Sequence, residues 1–356
     1  SFDGQIVAVQ HVPVFPPGKH ECPYNYLNAE KIIDAMRENN VSLSLAGHYH
    51  EGFDSLKEGD ITFITSPALC ESPFKFFEID LEQNGKASVK THCLKNPEKA
   101  ELIDYHIHTS LAYCNENMDM KKSVDLAEAF GLKKTGFGEH SGHLYFDNDT
   151  YWPGAFLSEG IDYRPMADRM EEYFQNFKAL DSENALLGLE IDADFKGRPV
   201  IKPEHWKMVQ IPIGAVHYLS ELKKENPDIE KTKEEFLAIC EKFLKCGIKI
   251  LAHPFRVFRR AGIETPEELF EPLAKILKEN NVAAEINYHT NYPPVKFFTM
   301  CIERQIKISF GSDSHNLYEV GEFAPHLDLI EKCGYDGDLT DILVKPENVV
   351  NKEFMK

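Results

Sequence analysis

From residue 104 onward, histidines and acids recur in short clusters: DYHIHT carries His106 and His108, GFGEH carries His140, LLGLEID carries Glu190, IGAVHY carries His217, ILAHPF carries His253, and SFGSDSH carries Asp313 and His315. Each follows an apolar run, so each sits where a strand would end. Residues two apart in a strand point to the same side, and HxH and DxH therefore each send two side chains toward one point. Imidazole nitrogen mixed with carboxylate oxygen is a donor set for zinc, manganese or iron, and a carboxylate shared between two ions can bridge them. Glu190 is the best bridging candidate. One such histidine alone is more often structural than a ligand. Together, buried without a cation, they would leave charged or unpaired groups desolvated at a cost of several kcal/mol each.

To bring these clusters together the chain needs an ordered set of strands. Apolar segments ending at His106, Gly138, Glu190, His217, His253, Asn287 and Ser312 are separated by helical patterns such as SVDLAEAF, TKEEFLAICEKFLKC, TPEELFEPLAKILKEN and VKFFTMCIERQ, with Gly131, Gly247 and Gly334 as helix-ending glycines. This regular alternation predicts a closed or nearly closed parallel barrel rather than a small open sheet, with a doubly wound sheet as the alternative. The polar, proline-containing KNPEKAE marks a boundary, giving an N-terminal segment 1–95, a linker 96–101 and a second domain 102–356. In the first segment, GQIVAVQHV reads as a strand, NAEKIIDAMRENN as a helix capped by Asn28, SLSLAGHYH as a strand running into a turn, and DITFITSPAL and FKFFEIDL as strands.

The series DxHxH, EH, GLE, the His217 segment, HPFR and SDSH resembles the polymerase-and-histidinol-phosphatase (PHP) family over residues 100 to about 320. The resemblance implies an α/β fold, a distorted (β/α)7 TIM-like barrel, with two or three divalent ions (zinc, manganese or iron) at its strand ends. It also implies hydrolysis of a phosphate ester. By the same resemblance His106, His108, Glu190 and Asp313 would hold one ion, Glu190, His217 and His253 a second, and His140 with His315 a third. A histidine that commonly follows HxH in the family is absent from SLAYCNENMD. Glu116, Cys114 and Asp119 are the candidates to replace it. Glu116 is preferred because it lies two residues after the cysteine, where histidinol phosphatases often carry histidine.

Arg256, three residues past His253, is placed to fork onto phosphate oxygens, the alternative being a surface salt bridge. Arg164, Lys196 and Arg198 are weaker candidates of the same kind. His143 faces either the substrate or solvent, and with Tyr218 it is a candidate to protonate the leaving oxygen.

Before the boundary, QHVP and GHYH resemble the last two metal motifs of calcineurin-like metallophosphoesterases, through His11, His48 and His50. The earlier DxH, GDxxD and GNH(D/E) motifs of that family are not found upstream. The expectation is a partial α/β sheet segment, truncated rather than decayed or completed by a second chain. Its exposed sheet edge is compatible with a homo-oligomer.

Composition narrows the function classes. Hydrophobic residues make up 42% and charged residues 27%, and no run approaches the ~20 apolar residues of a membrane span. A formal net charge of −19 disfavours a nucleic-acid polymer as partner. A small phosphorylated substrate stays compatible, because bound cations reverse the field locally. Eight cysteines without a CxxC pair read as reduced thiols and a cytoplasmic protein. The expected function is metal-dependent hydrolysis of a small-molecule phosphate monoester, histidinol-phosphatase-like, through a metal-bridging hydroxide, with Asp313 accepting or relaying a proton. Phosphodiester cleavage of nucleotides or short nucleic-acid ends is the enzymatic alternative. A metal-stabilised regulatory module, binding metal without turnover, is the other.

Overall fold

A computed structural model describes residues 6–69, 75–82, 87–93, 101–351 and 353. The chain divides into two compact units, Ser1–Glu98 and Lys99–Lys356. Most of the expected linker, 96–101, lies outside the described residues.

In the first unit, strands β1 (Ile6–Gln10), β2 (Val41–Ala46), β3 (Phe53–Glu58) and β4 (Ile61–Thr65) form a sheet ordered β1-β2-β4-β3. β1, β2 and β4 run parallel, with β3 antiparallel at the edge. Strands β5 (Lys75–Leu81) and β6 (Ala87–Cys93) pair antiparallel as a separate ribbon. The helix Ala29–Glu38 buries Ala29, Ile33 and Met36, the i, i+4, i+7 spacing of one helical face. Asn28 stands at its N-cap position, but at φ −109° and ψ 29° its backbone is not extended and its side chain makes no capping bond.

The second unit is a seven-stranded parallel sheet in strict chain order: β7 (Ile103–Ile107), β8 (Lys134–Phe137), β9 (Ala185–Asp192), β10 (Ile211–Ala215), β11 (Ile250–Leu251), β12 (Ala283–Ile286) and β13 (Ile308–Phe310). The ends of β7 and β13 close on each other through a parallel bridge between Ile107 and Ser314, with His108 N donating to Ser314 O at 3.1 Å and Asp313 N to His106 O at 2.7 Å. The result is the distorted (β/α)7 barrel that the strand count predicts. Helices Met120–Ala129, Met170–Leu180, Ile229–Leu244, Phe270–Asn280, Val295–Glu303 and Ala324–Lys332 lie between or after the strands. Gly131, Gly247 and Gly334 take the positive φ that their helix-ending role requires.

Strand alternation sorts side chains into two layers. Leu187, Leu189, Ile191, Ile286, Ile308 and Phe310 share one hydrophobic core with the helix residues Phe236, Phe243, Leu273 and Phe297. Leu186, Ile211, Ile213, Ala215, Ile250 and Ala283 belong to a second cluster. Counting in steps of two from this cluster leads to Glu190, His217 and Glu285, so the lumen is apolar along its length and turns polar at the C-terminal strand ends. Among the described residues no helix is long and apolar enough to cross a membrane.

Ile213 is fully buried in this lumen beneath the polar layer. Ile213→Ala is expected to destabilise the second unit by about 2–5 kcal/mol, the usual cost of a large-to-small change in a packed core. Urea unfolding followed by near-ultraviolet circular dichroism measures it.

Candidate metal centre

Glu190 stands near the end of β9 with no solvent exposure, and its carboxylate is the hub of the barrel mouth. One oxygen, Oε1, lies 2.7 Å from His253 Nε2 and 3.2 Å from His217 Nε2. The other, Oε2, lies against His140 Nδ1, 3.7 Å from His106 Nε2 and 3.9 Å from His108 Nε2. Asp313 is the second hub: its Oδ1 is 2.8 Å from His108 Nε2 and 3.8 Å from His106 Nε2. His315 packs its ring on His108 at 4.2 Å, with Nδ1 2.7 Å from the Asp313 carbonyl.

All of these side chains are buried, yet His106 Nε2, His108 Nδ1, His140 Nδ1 and Glu190 Oε2 have no hydrogen-bond partner. His140 Nδ1 and Glu190 Oε2 approach without hydrogen-bond geometry. Orphaned buried nitrogen and carboxylate atoms are costly when left alone and are the donors a divalent cation uses. Three convergent groups in this layer place their donor atoms within 4.8 Å of one another: His106, His108 and Asp313; His140, Glu190 and His217; and His108, His140 and His315. Nitrogen and carboxylate oxygen in these numbers fit zinc, manganese or iron. The residues present therefore fit the metal ions that the sequence implies.

Backbone strain marks the same strand ends. His253, Phe255 and Asp313 have φ of 31°, 72° and 56°, the left-handed region that non-glycine residues rarely occupy. Close packing also demands glycine: a Cβ at Gly138 would lie 2.8 Å from His106 Cδ2, and one at Gly311 would meet the Glu285 carboxylate and His106 Cβ.

Behind the donors is a layer that the sequence reading missed. Glu285 Oε1 sits 2.8 Å from His106 Nδ1, while its Oε2 accepts from His253 N at 2.8 Å and Asn287 Nδ2 at 3.0 Å. Asp192 Oδ1 lies 2.7 Å from His217 Nδ1, and its Oδ2 accepts from Gly142 N at 3.0 Å. Glu139 stands close by, its Oε1 3.5 Å from His108 Nδ1 without a hydrogen bond and its Oε2 accepting from Thr109 N. At His106 and His217, a carboxylate on one imidazole nitrogen fixes the tautomer and aims the other nitrogen into the mouth of the barrel. The signal was present: Asp192 is two residues past Glu190 on one strand, Glu285 is a charged residue inside an apolar strand, and Glu139 precedes His140.

Electrostatics follow from this crowding. Burial alone would raise Glu190, but the imidazoles of His217, His140 and His106 hold it well below the usual carboxylate range. Asp313 behaves alike, with burial opposed by Arg256 and then His106. Burial pushes His253 down to about 3, with Arg256 adding to the shift.

The remaining expected residues fall in different places. Arg256 is buried, donating from Nη1 to Asp313 Oδ2 at 2.6 Å, with Nη2 3.1 Å from His217 Nε2, so it is no surface salt bridge. His143 is fully buried rather than exposed; its Nδ1 accepts from Tyr113 N at 3.2 Å and its Nε2 has no partner. Glu116 is not brought to the centre: it is exposed, its carboxylate accepts from Asn316 Nδ2, and it belongs to none of the convergent groups found among the described residues. Asp119 instead caps the helix Met120–Ala129, accepting from Lys122 N at 2.9 Å. Arg198 pairs with Asp194, and Arg164 donates to the Ile161 and Tyr163 carbonyls.

A cavity of about 210 Å³ opens beside the cluster, lined by Cys114, His140, Tyr151, Trp152, His217, Arg256, Arg260, His289, Thr290 and His315. His289, which the sequence reading did not single out, stacks on His315 at 4.3 Å with Nδ1 3.6 Å from Glu319 Oε1. In the first unit, His48 Nδ1 and His11 Nε2 are 3.0 Å apart.

The sequence matches the family described as "PHP domain" over residues 104–289, just over half of the chain. No curated protein sequence matches it. Among solved structures, a Listeria monocytogenes protein provisionally named as the histidinol phosphatase hisK is 15% identical, with a TM-score of 0.48 over 63% of this chain and 99% of that one. A histidinol phosphate phosphatase from Lactococcus lactis, complexed with zinc, L-histidinol and phosphate, is 21% identical, with a TM-score of 0.45 over 66% of this chain and 94% of that one.

Loss of an outer carboxylate is expected to weaken metal binding without removing a ligand. Glu285→Gln and Asp192→Asn should each lower metal affinity about 10–100-fold, read by competition with a chromophoric chelator; unchanged affinity in both would remove the orienting role.

Proposed function

The chain belongs to the PHP domain family, and on that premise we propose that its second unit is a metal-dependent phosphoesterase acting on a small phosphate monoester. The observation that carries the reading is the set of buried, unpartnered donors around Glu190 and Asp313, next to a cavity large enough for a small ester. In this reading His106, His108, Glu190 and Asp313 hold one ion, Glu190, His217 and His253 another, and His140 and His315 contribute to a third. Bound divalent ions would supply Lewis acidity and a water acidic enough to yield a nucleophile near neutral pH.

The chain's own residues do the rest. Asp313, ionised and anchored by Asn287 Nδ2 at 3.0 Å, accepts a proton from the attacking water or passes it on. Arg256 presents its amino groups at the cavity wall; a substrate phosphate would compete with Asp313 and His217 for them and gain two charge-assisted bonds. Arg260 lies one helical turn beyond Arg256 on the same wall. No carboxylate is among the described residues that line the cavity, while two arginines are, which favours an anionic substrate. Trp152 and Tyr151 form the apolar side against which a leaving group packs.

For the first unit the reading is narrower. The proximity of His11 and His48 at the ends of β1 and β2 supports a segment of the calcineurin-like metallophosphoesterase kind.

Metal analysis by mass spectrometry on protein purified without chelator, combined with phosphate release from a panel of phosphomonoesters, tests the function. Two or three transition-metal ions per chain are expected, with turnover lost in His106→Ala and Asp313→Ala and with KM raised at least tenfold in Arg256→Ala. Absence of bound metal after reconstitution with zinc, manganese and iron would overturn the reading. Metal without turnover on any ester would leave a binding module.

A further inference from the structure

The short helix Arg256–Arg260, RVFRR, carries three arginines with three different surroundings. Arg256 is buried and occupied, reaching Asp313 and His217. Arg259 lies over the Tyr292 ring, its guanidinium carbon 3.5 Å from the centroid. Arg260 lines the cavity, is exposed, and forms no side-chain hydrogen bond or ion pair among the described residues. Residues four apart on a helix share a face, with Cβ atoms about 5–6 Å apart, so Arg260 stands beyond Arg256 along the same wall, on the solvent side. Aspartate and glutamate number 58 in this chain against 39 lysines and arginines, yet none of the acids is among the described residues of the lining to compensate Arg260. The aromatic part of the lining is held in place: Trp152 Nε1 donates to Asn148 Oδ1 at 2.7 Å, the Trp152 carbonyl accepts from the Tyr218 hydroxyl at 3.3 Å, and Lys223 Nζ donates to the Pro153 carbonyl.

We propose that Arg260 is a subsite for a second anionic group, a carboxylate or a further phosphate, so that the substrate is a small ester with two anionic ends. This inference rests on the reading of the barrel mouth as a phosphoesterase centre, with the ester phosphate at Arg256. A guanidinium forks onto either group through two parallel N–H donors. A short spacer reaches from Arg256 to Arg260 and packs on Trp152 and Tyr151. An ester of the aminoalkyl phosphate kind would instead bring an ammonium to Arg260 and meet no carboxylate in the described lining, a juxtaposition of like charges that discriminates against it. Arg260 is in this way a specificity-determining residue, responding to the charge of the leaving group and not to the chemistry at phosphorus.

Phosphonates, which are not hydrolysed, separate binding from turnover. Propylphosphonates carrying a hydrogen, a carboxylate, a second phosphonate or an ammonium at the far carbon are titrated calorimetrically into the full chain reconstituted with metal, and the matching propyl phosphates are assayed for phosphate release. Either anionic group is expected to tighten binding over the plain phosphonate about tenfold, the size of one exposed charge-assisted hydrogen bond, and the ammonium to weaken it. The tighter of the two anionic arms identifies the second group. Arg260→Gln should abolish the preference, and Arg260→Glu should reverse it in favour of the ammonium, an inversion that neither a structural role nor a misfolded variant produces. Equal affinities for the plain and anionic phosphonates, or a preference unchanged in Arg260→Gln, would overturn the subsite. The expected preference with no phosphate released from any ester would support the subsite and overturn the esterase reading. A wild-type protein that binds none of the phosphonates would overturn both.

Discussion

The carboxylate of Glu190 has no access to water and faces the imidazoles of His106, His140, His217 and His253 at distances where each is a partner or a competitor. An ionised carboxylate in that position is several kcal/mol worse off than in solution unless positive charge is brought to it. Imidazoles supply that charge only by being protonated together, and crowded cations repel one another. Divalent ions would resolve the conflict, since they satisfy a carboxylate and the lone pairs of neutral imidazoles at the same time. Seven parallel strands closing in chain order are what bring imidazoles from four other strand ends around one carboxylate.

The outer carboxylates extend the same constraint. Glu285 and Asp192 are themselves buried, and each holds an imidazole with one oxygen while a backbone amide satisfies the other; Glu139, buried beside them, accepts from the His140 and Thr109 amides and stands 3.5 Å from His108 Nδ1. They add carboxyl groups to a site already rich in them. Part of the formal charge of −19 is thus concentrated inside the barrel mouth rather than spread over the surface. Arg256, reaching Asp313 and His217, is the one guanidinium close to the hub carboxylates among the described residues, and it lies on the side where the cavity opens.

What could be read from the chain without a structure follows this physics. The barrel strands were legible because parallel strands buried on both faces appear as apolar runs, and the helices between them keep their period. Donors at strand ends were legible because a charged or imidazole side chain interrupts such a run at a fixed parity. Strands β3 and β6 were not: FDSLKE and ASVKTHC are polar and partly exposed, and they are strands only because β4 and β5 offer a pairing edge. The outer carboxylates were missed for a different reason. An acid beside a strand-end ligand or two residues along it has the same pattern in sequence as an acid exposed to water, and only the closed barrel turns it inward. Glu116 and Cys114 show the limit of spacing arguments, because a loop has no period and two residues of separation carry no direction there.

The strand ends also reveal how tightly the donor layer is specified. His253, Phe255 and Asp313 hold left-handed backbone conformations at a cost of about 1–3 kcal/mol each, and Gly138 and Gly311 leave no room for a methyl group beside His106. From these conformations His253 reaches Glu190 and Asp313 reaches His108. The buried atoms left without partners in the same layer, His106 Nε2 and Glu190 Oε2 among them, are imidazole nitrogen and carboxylate oxygen, the donor types that a divalent cation takes.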